Sequence, residues 1–200
     1  DGFLDASFGT GGFASTDAPT GAQVIDIDVN GKILLSGTNW INRYAADGTS
    51  VEVFVTPATF TNGSDVAQQK SGRVISSGYD SSVSQGSLVA WQSYGDSVDT
   101  SFGIVTQTSP TNDRYVTGVN AKIDSFVINN DDTFVIAYND GNNVTLRQLN
   151  NDASQVVSGF GTAGTLVAIA GTAVSGKALL KKDENQKLVI AARTNTDEII

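Results

Sequence analysis

Gln23-Val24-Ile25-Asp26-Ile27-Asp28-Val29-Asn30-Gly31-Lys32-Ile33-Leu34-Leu35-Ser36-Gly37 decides the fold. Two runs of alternating or continuous apolar residues flank Asn30-Gly31, a pair that tolerates positive φ and so closes a tight hairpin. A strand carrying Trp40-Ile41-Asn42-Arg43-Tyr44 follows and ends at Asp47-Gly48. The unit recurs as Asp65 to Gly78 around Ser71-Gly72, with Leu88-Val89-Ala90-Trp91 and Tyr94-Gly95-Asp96 behind it. It recurs again as Ser125 to Ala137 around Asp131-Asp132, followed by Val144 to Asp152, and as Leu179 to Ala191 around Asn185-Gln186. A second motif lies between the copies: Leu4-Asp5-Ala6-Ser7-Phe8-Gly9, Val98-Asp99-Thr100-Ser101-Phe102-Gly103, and Val156-Val157-Ser158-Gly159-Phe160-Gly161, with Val51 and Phe54 holding its apolar positions after the first copy.

Internal repetition of roughly 50 residues with this content reads as about four hairpin-rich copies, 1–47, 48–95, 96–150 and 151–200. Counting the aromatic strand and one around the Phe-Gly motif, each copy holds about four strands, the content of a propeller blade. The expected fold is all-β, a propeller-like array of about four four-stranded antiparallel blades with almost no helix. Because one blade cannot bury both faces of its sheet, neighbours must stack. The motif at residue 1 and the fourth copy's missing aromatic strand lead us to expect part of a larger or multi-subunit array.

The repeated pattern of a turn followed by Gly-Lys or Gly-Arg, then Arg-Tyr-x-x-Asp-Gly and Asp-x-Ser-Phe-Gly, resembles the delta-60 repeat family of bacterial β-propeller-like proteins. Asp65 to Arg73, Arg43 to Gly48 and Leu4 to Gly12 carry the likeness, and Asp132-Thr133 and Gln186-Lys187 depart from it. The resemblance implies a secreted or cell-surface bacterial protein, a non-enzymatic structural or interaction module. Its partner would then be another protein, or further copies or remaining blades of the same protein.

Composition narrows the chemistry. The 200 residues carry a net charge of −9 and 16% charged side chains, with no histidine and no cysteine. A basic footprint for nucleic acid is absent, and so are disulfides, thiolate chemistry and the commonest general base. No run reaches the roughly 18 apolar residues of a membrane-spanning helix. We therefore expect no nucleic acid partner, no membrane span, no cofactor and no catalytic residue.

Four candidate sites remain. Asp26, Asp28 and Asn30, with Gly31, match the opening of a calcium loop, and the Phe-Gly pairs faintly resemble the calcium-binding FG-GAP blades. The EF-hand's bidentate Glu is missing, because that position is Gly37. The equivalent pairs in the other copies, Ala67 and Gln69, Val127 and Asn129, Lys181 and Asp183, form no ligand set, so Asp26 and Asp28 read instead as the outward residues of an alternating strand. Gly159 to Gly164 matches the dinucleotide fingerprint literally, but Thr165 to Ala170 reads as a strand where a helix is needed. Trp40 and Trp91, with Tyr44, Tyr94 and Tyr138, either pack between blades or form a platform for a glycan; the second reading makes the chain a carbohydrate-binding propeller. A glycoside hydrolase-type carboxylate pair is the remaining alternative, and no pair stands out.

Overall fold

The computed structural model describes residues 2–14, 21–54, 56–95, 97–103, 114–171, 174–194, 196 and 199. Asp96 and Ile200 lie outside them. The described residues form fourteen strands and no helix. Sheet one is β1 (Val24–Ile27), β2 (Ile33–Ser36), β3 (Ile41–Tyr44) and β4 (Ser50–Phe54). Sheet two is β5 (Phe60–Gln68), β6 (Val74–Asp80), β7 (Gln85–Trp91) and β8 (Arg114–Val116). Sheet three is β9 (Ile123–Ile128), β10 (Phe134–Asn139), β11 (Val144–Leu149) and β12 (Thr165–Ile169), and sheet four pairs β13 (Val174–Lys182) with β14 (Leu188–Thr194). Each is an antiparallel meander in sequence order.

One turn geometry closes the first hairpin of every sheet. Gly31, Gly72, Asp132 and Gln186 all have positive φ, between 62° and 95°. Their amides donate to Asp28, Gln69, Asn129 and Asp183 at 2.9–3.0 Å, and the amides of those four donate to Lys32, Arg73, Thr133 and Lys187 at 2.8–2.9 Å. The four copies therefore share one register even where Gly is replaced. Their uneven spacing comes from the run into the fourth strand, which is short in sheet one (45–49) and long in sheets two (92–113) and three (150–164).

That register fixes which way each side chain faces. Val66, Phe126 and Leu180 occupy equivalent positions, and each is buried against the preceding sheet; so are Val74 and Phe134. One residue along the second strand, Leu34, Ile75 and Val135 are buried against the following sheet. Three cores result, one at each junction between successive sheets, with both faces of sheets two and three covered. Near-continuous apolar strands such as Phe134–Asn139 follow from that double burial.

The end faces show the same register uncovered. Ile25, equivalent to Val66, is 66% exposed, and Val189, equivalent to Leu34, is 52% exposed. Asp26 and Asp28 lie on the inner side of β1, facing sheet two, while Ile25, Ile27 and Val29 face solvent. The expectation that the two aspartates point outward is thus reversed, because on a terminal sheet the apolar side is the one without a neighbour.

The Phe-Gly motif is not a strand, contrary to expectation; it is a turn that stitches one sheet to the next. Gly103 donates to the Asp152 carbonyl at 2.7 Å and Gly9 donates to that of Asp47. Phe8 packs against Gly48 and Phe54 against Gly95, while Phe102 is fully buried in the core that includes Ala153. Gly48, Gly95 and Ala153 are equivalent, each at positive φ. Gly is required at 103 in particular, since a Cβ there would lie 2.2 Å from the Arg114 carbonyl carbon.

Candidate functional site

Two concave regions collect the polar side chains. The first lies where the first strands of all four sheets converge, a cleft of about 250 Å³ lined by Asp26 of β1, Asp65 and Gln68 of β5, Phe126 and Val127 of β9, and Lys181 and Lys182 of β13. Residues 26 and 181 sit at equivalent positions of their repeats, so the register itself aims opposite charges into one space. Burial pushes the Asp26 carboxyl above the usual carboxylate range, against the lowering effects of the Ile27 amide and the Lys181 charge.

Its neighbours are occupied in holding strands together. Asp65 accepts from Ser125 Oγ at 2.7 Å and from the Val66 and Phe126 amides at 3.1 and 3.3 Å, tying β5 to β9. Asp124 accepts from the Ala178 amide at 3.1 Å, tying β9 to β13, and burial raises its pKa. Lys177, held against the Ser64 carbonyl, has its pKa lowered by burial. A carboxylate whose lone pairs are engaged by backbone amides is a structural acceptor rather than a free base.

The second region is a polar cleft of about 410 Å³ on the hairpin-turn side of sheets two and three, lined by Gln69, Ser71, Arg73, Gln92, Ser93, Asp99, Asp132 and Asn151. Most of these groups join neighbours. Gln69 Nε2 donates to the Asp132 and Asn151 carbonyls at 2.8 and 2.7 Å. The Asp132 carboxylate accepts the Lys70 and Ser71 amides at 2.9 and 3.2 Å, which is what Asp supplies where the first two copies have Gly. Arg73 is paired with Asp99 at 2.8 Å and lies over the Phe102 ring at 5.5 Å. Tyr94, next to Ser93, is 77% exposed.

The sites expected from sequence fare as follows. Asp28 Oδ1 accepts the Asn30 and Lys32 amides at 2.8 and 2.9 Å, and its Oδ2 faces Arg43 at 3.6 Å. A cation there would have to displace a buried guanidinium, so Asp26, Asp28 and Asn30 do not form a calcium loop in this arrangement. Among the described residues no group of three acidic side chains could hold a metal. Trp40 and Trp91 are both buried; Trp91 meets Phe54 and Phe60 edge-on at 6.1 and 6.4 Å, and Trp40 lies on Gly37. Neither offers a ring face to a glycan, and of the two readings both side chains take the packing one. The dinucleotide-like Gly159 to Gly164 runs into strand β12.

Sequence reasoning missed both clefts. Their residues are scattered from 26 to 182, and only the turn residues carried a local signal.

No protein-family model and no curated protein sequence matches the chain. The fold is found in solved structures. A protein of unknown function from Bacteroides caccae superposes with a TM-score of 0.54 at 12% identity over 90% of this chain. The extracellular domain of a hybrid two-component system from B. thetaiotaomicron gives 0.51 at 12% identity over 94%. A gluconolactonase from Xanthomonas campestris gives 0.42 at 13% identity over 86%. The chain spans 59% of the length of the first, 23% of the second and 69% of the third. The first two likenesses concern the fold alone, repeated antiparallel sheets.

Proposed function

We propose that the chain is a propeller-like, non-enzymatic interaction module of a secreted or cell-surface bacterial protein, built from delta-60-like repeats. The observation that carries this reading is the use to which the polar groups are put. Asp65, Gln69 and Asp132, which line the two clefts, and the buried Asp124 each join one sheet to the next. Among the described residues no helix is long and apolar enough to cross a membrane. The extracellular neighbour is consistent with an exported location. A cysteine-free chain is compatible with an exported protein.

The reading is tested by incubating the chain with a panel of glycosides and lactones. No turnover is expected, in the parent or in Asp26→Asn and Asp65→Asn. Hydrolysis that falls in either variant would make the first cleft an active site. Carbohydrate binding survives as a second reading on one observation, the exposed Tyr94 beside the 410 Å³ polar cleft. A glycan that binds the parent and not Tyr94→Ala would establish it.

A further inference from the structure

The polar cleft of about 410 Å³ lies at the junction of sheets two and three, both of which are covered on either face. What flanks the array therefore does not shape it. One wall is the turn after β7, and the other copies show what such a turn normally carries. Trp91 stands opposite Val74 as Tyr44 does opposite Ile33 and Leu149 opposite Phe134, so residues 92–95 are equivalent to 45–48 and 150–153. All three turns make the same backbone bond, Gly48 to Ala45, Gly95 to Gln92 and Ala153 to Asn150, at 2.9–3.1 Å.

Their side chains differ. Asp47 and Asp152 cap their own turns by accepting the Thr49 and Ser154 amides at 3.1 and 2.9 Å, the usual role of Asp in a turn. Tyr94 stands in their place at the cleft, where it cannot cap, and is 77% exposed. Every other tyrosine and tryptophan among the described residues is buried or half-buried. Asn150 likewise ties its turn to Ser154 and Gln155 at 2.9 Å, whereas the side chain of its equivalent, Gln92, has no hydrogen-bond partner among the described residues. The turn at the cleft forgoes the local bonds its equivalents make. With the backbone unchanged, such a departure points to function rather than to the fold.

Charge inside the cleft is already matched. Asp99 accepts from Arg73 and Ser101, and Asp132 from the Lys70 and Ser71 amides. The groups left without a partner among the described residues are uncharged: the Ser71 and Ser93 hydroxyls and the side-chain amides of Gln92 and Asn151. Arg43 of sheet one donates to the Ser93 carbonyl and so fixes the turn that carries two of them. An anion would meet two carboxylates, and a cation would compete with Arg73 and backbone amides for both. We propose that this cleft binds a neutral saccharide. Sugar hydroxyls, which donate and accept at once, match amides and hydroxyls that do the same, and the apolar C–H face of a sugar ring packs on the Tyr94 ring. The volume lies within the range of about 300–1,000 Å³ typical of small-ligand sites. The inference rests on the carbohydrate reading above and narrows it to an uncharged ligand held through Gln92 and Asn151 as well as Tyr94.

The test is calorimetric titration of the whole chain with neutral oligosaccharides of glucose, mannose, galactose, xylose and N-acetylglucosamine, and with two charged ones, oligogalacturonate and chitosan oligomers. Saturable one-to-one binding of a neutral member is expected, at least about tenfold tighter than either charged set. Gln92→Ala and Asn151→Ala should each weaken it by about two- to tenfold, the worth of one hydrogen bond. Tyr94→Asn, which restores a side chain able to cap, should weaken it at least about tenfold while Tm stays unchanged or rises. All three side chains are exposed, so the variants fold. Equal binding of a charged oligomer through the same residues would overturn the neutral class and leave the carbohydrate reading standing. So would neutral binding that is lost in Tyr94→Asn but insensitive to both alanine variants. No saturable binding by any member would overturn both. A lower Tm in Tyr94→Asn would show that the ring serves the fold, and would overturn the proposal.

Discussion

Replacing Phe102 with Ala removes the ring that fastens sheet two to sheet three. Phe102 is fully buried, meets Phe134 edge-on at 5.9 Å and lies under the Arg73 guanidinium. A buried Phe→Ala change costs about 3–5 kcal/mol when the cavity does not collapse. The backbone here is pinned by the Gly103–Asp152 bond, so collapse is restricted. At roughly 2–4 °C per kcal/mol for a chain of this size, Tm falls by about 6–20 °C. Phe160→Ala is the internal control. Phe160 occupies the same place in its motif, is only partly buried, and has no equivalent of the Asp152 turn to pack on among the described residues. Its loss should cost about 1–2 kcal/mol, the transfer of part of a ring. The assay is urea denaturation followed by circular dichroism, with slopes compared so that equal cooperativity can be verified. Equal losses in the two variants would refute the stitch, since they would show that the turn of the following sheet contributes nothing.

Four further outcomes are expected. Adding Ca²⁺ or EDTA leaves Tm unchanged because Arg43 faces the Asp28 carboxylate, whereas Asp28→Ala, which leaves Arg43 paired with Glu52 but removes the acceptor of the Asn30 and Lys32 turn amides, costs about 1–3 kcal/mol in urea melts. Trp40 and Trp91 resist acrylamide quenching, and their emission does not respond to glycans; accessible tryptophans would reinstate the platform. Asp124→Asn stabilises at pH 7 and the gain shrinks on acidification: burial raises the folded pKa, so wild-type stability from this group is full below the unfolded pKa and lost as pH rises through the folded one. Asp99 behaves oppositely. Burial there is outweighed by hydrogen bonds from Ser101 and by Arg73, so its pKa is lowered and its contribution, present above the unfolded pKa, disappears as pH falls through the folded value; Asp99→Asn should flatten the acid limb of a pH-stability curve.

The hairpins were legible in sequence because positive φ leaves a chemical trace, Gly at 31 and 72 and short polar substitutes nearby. Even the departures, Asp132 and Gln186, aligned with them. The facing of Asp26 and Asp28 was not legible. A period of two says which residues share a side, not which side is covered, and in a stack that depends on whether a neighbour exists. Trp40 and Trp91 illustrate the same limit, since aromatic recurrence fits a core and a sugar platform equally until burial is known. The Phe-Gly motif was recognised as a recurring unit, but its partners, Asp47 and Asp152, lie 38 and 49 residues away. The meeting of Asp26 and Lys181 in one cleft crosses most of the chain, and nothing local marks it.

One register repeated through successive sheets is the central claim, and aromatic NOEs test it most directly. Contacts are expected from the Trp91 indole to the Phe54 ring, and from the Phe102 ring to Phe134, the first linking two sheets and the second a motif and the sheet it fastens. A Trp91 indole that shows contacts only within β6 and β7, or a Phe102 ring without contact to Phe134, would contradict it.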